Sequence, residues 1–126
     1  MHTGRGWIQY HERLGGHTLD RHVGQTDVQL IARLQQSPRI RGASIFFNQA
    51  IAESVISQTI QQNRPMIRQW LRFGSDDLLV LQFTGQDVIG RGILRGQQTV
   101  QPMTNARVLL RRSPHGKSYI LTAYPE

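Results

Sequence analysis

The apolar pattern of this 126-residue chain changes period once, near residue 75, and that change limits its possible folds more than any other feature. Up to about Gly74 the spacing reads as helical. After about Asp77 it reads as short strands separated by turn signals. Helices first and strands after, with hairpin-length connections, argue an α+β domain built on an antiparallel sheet. The length suits a single domain over residues 1–126. A chain of this size buries roughly two-thirds of its unfolded surface, so no metal or disulfide staple is required.

The clearest helix spans about Asp27 to Gln36. Thr26 is a good N-cap, and Gln29 three residues later completes a capping box. Val28, Leu30, Ile31, Ala32 and Leu34 form one apolar arc at about 100° per residue, with Gln29 and Arg33 opposite. Pro38 ends the segment. A second helix is expected from Asn48 to Gln62 and a third from Pro65 to a Gly74 cap. A short earlier helix within Ile8 to Leu14 is stopped by Gly15-Gly16. Four strands are expected at Leu78–Phe83, Asp87–Leu94, Asn105–Arg112 and Lys117–Tyr124, with the last turn at Ser113-Pro114-His115-Gly116.

Fifteen Lys and Arg oppose eight Asp and Glu, a net charge of +7, and Lys117 is the one lysine. Such a surface favours a polyanion. Arginine's planar fork grips phosphate oxygens in pairs and stacks on bases, which a lysine does not do. A GC-rich genome also exchanges lysine for arginine, so the composition alone goes no further. The absence of cysteine excludes a disulfide scaffold, a thiol nucleophile and a cysteine-ligated zinc. No apolar run approaches the roughly 20 residues that span a bilayer.

His11, His17 and His22 fall within twelve residues, while His2 and His115 lie apart. His11-Glu12 begins a zinc-protease motif, but the second histidine would stand at Gly15, so that reading fails. The three have no regular ligand spacing, and no metal or other cofactor is expected. His22 precedes the Thr26 cap, and Arg33 projects from the helix that follows. At the far end Thr122 and Tyr124 are two apart on the last strand and so share a face. RNA cleavage without a metal asks for such a kit. A base near neutral pKa takes the proton of a 2′-hydroxyl, and a fixed cation meets the charge building on phosphorus.

The run from Tyr10 to Asp27, with Gly15-Gly16-His17-Thr18 and His22-Val23-Gly24 inside it, resembles the bacterial ribonuclease A-like toxin domain. That domain occurs at the C-termini of contact-dependent growth inhibition proteins and other polymorphic toxins. Leu34, Ala43-Ser44-Ile45-Phe46, Ala52-Glu53, Trp70-Leu71 and the closing Leu121-Thr122-Ala123-Tyr124-Pro125 continue the likeness over nearly the whole chain. The resemblance implies a ribonuclease A-like fold without disulfides, N-terminal helices packed on a bent antiparallel sheet. It matches the family's catalytic histidine to His22, its active-site arginine to Arg33, and its C-terminal threonine and tyrosine to Thr122 and Tyr124. His17 enters as a supporting or catalytic residue. The last strand holds no histidine, so Tyr124, His17 or water must protonate the leaving group.

The function so implied is an antibacterial toxin that cleaves RNA without a metal, leaving a 2′,3′-cyclic phosphate. It would be delivered from the cell surface within a longer protein and act in the target-cell cytoplasm. Its expected partners are RNA, held in part by Arg21, Arg91 and Lys117, and an immunity protein with an acidic face over the cleft. A non-catalytic nucleic-acid-binding module is the alternative from a different class. A uridylate-specific endoribonuclease would need two catalytic histidines plus a lysine or serine, and Lys117 lies beside a turn.

Overall fold

The computed structural model describes residues 7–13, 16–113 and 118–126. Helix α1 (Trp7–Arg13) and the short α2 (Thr18–His22) precede α3 (Asp27–Gln36). Strand β1 (Gly42–Phe46) follows, then helices α4 (Gln49–Gln62) and α5 (Arg64–Phe73). The rest is strand: β2 (Leu78–Phe83), β3 (Gly90–Leu94), β4 (Gln101–Met103), β5 (Ala106–Arg112) and β6 (Ser118–Pro125). All pairing within the sheets is antiparallel, in two three-stranded sheets of order β1-β3-β4 and β2-β5-β6. The fold is α+β, as expected, with two helices placed after the first strand instead of before it.

The capping box of α3 forms as its sequence requires. Thr26 Oγ1 accepts the Gln29 N–H at 3.2 Å, and the Gln29 side chain accepts the Thr26 N–H at 2.8 Å. Two strands depart from the period reading. Residues 43–46 of β1 are all buried, so the strand shows no alternation and sits unmarked between two helices. Strand β4 is only three residues long and carries Pro102, which an edge position tolerates.

Two apolar clusters hold these layers. The larger joins Trp7 and Ile8 of α1, Val55, Ile56 and Ile60 of α4, and Ile67 and Trp70 of α5 to the inner faces of β2, β5 and β6. The smaller packs Leu30 and Leu34 of α3 on Ala43, Ile45 and Ile93. Burial of this kind contributes roughly 1.5–3 kcal/mol per large side chain before conformational entropy is subtracted. On β5 the burial alternates, so Ala106, Val108 and Leu110 face the core while Arg107 and Leu109 face away from it. Arg112 ties α5 to this sheet: it stacks on Trp70 at 5.1 Å and donates to the Trp70 and Gly74 carbonyls at the helix end.

One irregularity matters for the site. Leu109 pairs with Thr122 but Leu110 pairs with Ile120, so Leu121 is an extra residue in β6. Such a bulge bends a strand and turns the side chains beyond it.

Candidate active site

Helix α2 ends on His22, and the chain leaves it through an isolated parallel bridge from Val23 to Phe46. Gly24 follows at φ +75°, a left-handed conformation that disfavours other residues. This exit lays the His22 ring beside β1, where its Nδ1 lies 2.9 Å from the Ser44 carbonyl oxygen. A carbonyl only accepts, so Nδ1 carries the proton and the lone pair sits on Nε2. The ring is 6 % exposed. Burial, helped by the positive charges of Arg33 and Arg21 and by His17, lowers its pKa from 6.5 to about 4, against an opposing pull from the Ser44 carbonyl, which leaves the ring neutral but below the near-neutral pKa expected of the base.

That value has a stability consequence. The unfolded chain binds a proton at His22 below about pH 6.5 and the folded one only near pH 4, so His22 favours folding fully above pH 6.5. The contribution is lost progressively as pH falls to about 4, on the order of 3 kcal/mol in all. An NMR titration of the His22 ring should give a midpoint near 4. A midpoint at the ordinary histidine value would contradict the buried neutral ring.

The ring faces a cleft of about 530 Å³ lined by Arg21, His22, Arg33, Arg41, Arg107, Thr122 and Tyr124 among others. Arg33 reaches it from the half-polar face of α3, its Nη1 donating to the Arg21 carbonyl at 3.1 Å. Tyr124 brings its ring to 5.3 Å from that of His22, tilted by 38°. The Thr122 Oγ1 is buried and has no hydrogen-bond partner among the described residues. Four arginines and one acid, Glu126, line this cleft. Glu126 pairs with Arg107 at 3.3 Å. A concave surface with that balance concentrates phosphate.

His22, Arg33, Thr122, Tyr124 and Arg21, all expected from sequence, therefore meet on one cleft. His17 stands at the N-cap of α2, and its backbone N–H donates to the Leu121 carbonyl at 2.7 Å. Arg91 is engaged elsewhere, with Nε on Asp27 at 2.6 Å and Nη2 on the Gln25 carbonyl, and so pins the start of α3 to β3. Lys117 lies outside the described residues. Arg41 and Arg107 were not anticipated. Alternation along β5 turns Arg107 away from the core, but only the β5–β6 register, Arg107 opposite Tyr124, brings it to the site. Among the described residues no three His, Asp or Glu side chains gather as a metal site. No described helix is long and apolar enough to cross a membrane.

The sequence matches the family of the bacterial CdiA-CT RNAse A domain over residues 16–125. The chain belongs to that family. Among solved structures, this CdiA-CT RNAse A domain is similar to a chain in the crystal structure of a CdiA-CT/CdiI complex from Y. kristensenii 33638. The TM-score is 0.80 at 33% sequence identity, covering 88% of this chain and 99% of that chain. No curated protein matches this domain. The resemblance seen in the Gly-Gly-His and Thr-Ala-Tyr-Pro segments is thus a family relationship. Helix α1 lies ahead of the matched residues.

Proposed function

We propose that this domain is a metal-independent endoribonuclease that cleaves by transphosphorylation. The observation that supports it most is His22, buried and neutral, with its Nδ1 proton given to Ser44 and Nε2 left to act as base in an arginine-lined cleft. Nε2 takes the proton of the ribose 2′-hydroxyl, and the 2′-oxygen attacks the adjacent phosphorus. Arg33 meets the charge that builds on the phosphoryl oxygens. Thr122 and Tyr124 position the phosphate or base. The bond to the 5′-oxygen breaks, leaving a 2′,3′-cyclic phosphate and a 5′-hydroxyl. Tyr124, whose phenol carries an O–H donor and whose ring lies 5.3 Å from that of His22, is the side chain best situated to give the 5′-oxygen its proton.

Arg21, Arg41 and Arg107 hold the RNA backbone, while Arg91 and Lys117 add to the long-range field. The chain works as one domain, the C-terminal toxin of a longer secreted protein that acts in the cytoplasm of a rival bacterium. A cognate immunity protein lays an acidic face across the cleft, because carboxylates block a basic site efficiently.

The test is cleavage of total RNA with end-group analysis of the fragments. Cyclic phosphates and 5′-hydroxyls are expected, in EDTA as without it. Replacing the scissile nucleotide's 2′-hydroxyl by hydrogen should abolish cutting. Cleavage of DNA, or a requirement for metal, would overturn the reading, and RNA retention without cleavage would leave a binding module.

A further inference from the structure

Strand β6 carries two residues of the proposed site, yet it is the outermost strand of its sheet. Among the described residues its backbone makes hydrogen bonds outside that sheet with His11, His17 and Ser44, and they fall on either side of Thr122 and Tyr124. Before them, the Ile120 N–H donates to His11 Nδ1 at 2.9 Å, and the Leu121 carbonyl accepts the His17 N–H at 2.7 Å. After them, the Pro125 carbonyl accepts Ser44 Oγ–H at 2.7 Å. The first pair grips the strand at its bulge, where Leu121 is the extra residue. The third bond joins β6 to β1, in the other sheet.

The two side chains that grip the strand are buried. His11 is 3 % exposed and Ser44 5 %. Because His11 Nδ1 accepts an N–H, its proton sits on Nε2 and the ring is neutral. The ring also meets Trp7 edge-on, with centroids 5.4 Å apart at 89°. Gly16 lets this segment lie against the strand, since a Cβ there would come within 2.5 Å of the Ile120 carbonyl oxygen. Gly92 does the same behind Ser44, where a Cβ would stand 2.6 Å from the serine's own Cβ. Neither His11 nor Ser44 Oγ is needed for the chemical step.

We propose that His11 and the Ser44 hydroxyl are positioning residues, a two-ended clamp on β6 that fixes Thr122 and Tyr124 against His22. This rests on the ribonuclease reading for its catalytic consequence but not for its structural one. It also gives the histidine trio three separate duties: His22 as base, His17 as a backbone donor, and His11 as an acceptor behind the strand. An unclamped bulge lets the strand slide, and a displacement of about 1 Å at a reacting centre can cost on the order of 100-fold in rate.

Three variants of the full chain separate positioning from mere stability. His11→Phe keeps a ring against Trp7 and removes the acceptor. His11→Asn loses the ring but sets Oδ1 where Nδ1 was. Ser44→Ala removes the hydroxyl and keeps the carbonyl that holds His22. On a defined oligoribonucleotide, kcat for His11→Phe and Ser44→Ala should fall about 10- to 100-fold with KM nearly unchanged. His11→Asn should stay within a few-fold of wild type even though its Tm drops. The His22 ring should still titrate near 4 in Ser44→Ala.

If activity follows Tm instead, with His11→Asn as impaired as His11→Phe, the clamp is wrong. Should His11→Phe fail to fold, Ser44→Ala decides through the same two readouts, and full activity there refutes the clamp. If wild type cleaves no RNA, the ribonuclease reading fails separately. The clamp is then judged by amide exchange at Ile120 and by the NMR contact between the His22 and Tyr124 rings. Both should change in the variants that lose a grip, and an unchanged pair would reject the proposal.

Discussion

His22→Ala is expected to lower the rate of RNA cleavage by about 10²- to 10⁴-fold, the range a positioned general base supplies. Affinity for a 2′-deoxy analogue should stay close to wild type, since the arginines of the cleft are untouched. Alanine also leaves the Ser44 carbonyl without its donor inside a buried site, so His22→Asn is the sharper comparison. Its amide nitrogen can take over the hydrogen bond to Ser44 but offers no base. Both variants should lose cleavage, and cells producing either should survive without an immunity protein. A loss smaller than tenfold in His22→Asn would place the base elsewhere.

Arg33→Ala should cost on the order of 10²- to 10³-fold in kcat, as removal of a preorganised charge-stabilising donor does. The guanidinium is oriented in part by the Arg21 carbonyl, which accepts its Nη1 N–H at 3.1 Å. Lysine carries the same charge without the fork, and Arg33→Lys should recover only a minor part of the rate. Arg41→Ala and Arg107→Ala serve as contrasts. They line the same cleft, and on the proposed reading they bind substrate and transition state alike, so their loss should raise KM and flatten the salt dependence of binding. Full activity in Arg33→Lys would reduce Arg33 to one more steering charge.

Most elements were legible because their local signals agree with their final surroundings. Helix α3 shows this best in its cap and its stop before Pro38, while its apolar arc narrows to the buried Leu30 and Leu34 and leaves Val28 exposed. Strand β1 was not legible, because burial on both faces removes alternation and a five-residue apolar run has no period of its own. The candidate site's side chains come from the resemblance, and alternation alone says only that Thr122 and Tyr124 share a face. What brings that face to His22 is the β5–β6 register, the bulge at Leu121 and the Ser44 bond, all set across long sequence separations. The same separation hides Arg107, and nothing local reveals Asp27 as the partner of Arg91.

Strand β1 acts as a party wall between two rooms. Ala43 and Ile45 serve the smaller apolar cluster, Phe46 serves the larger, and Ser44, on the face of Phe46, reaches β6 at Pro125. The cleft is lined from both sides, by Arg33 of α3, which packs on the small cluster, and by Thr122 and Tyr124 of β6, which packs on the large one. A ligand that grips both sides therefore braces the joint as well as filling it. RNA spanning the arginines, or a protein plugged across them, would stiffen the molecule at this seam.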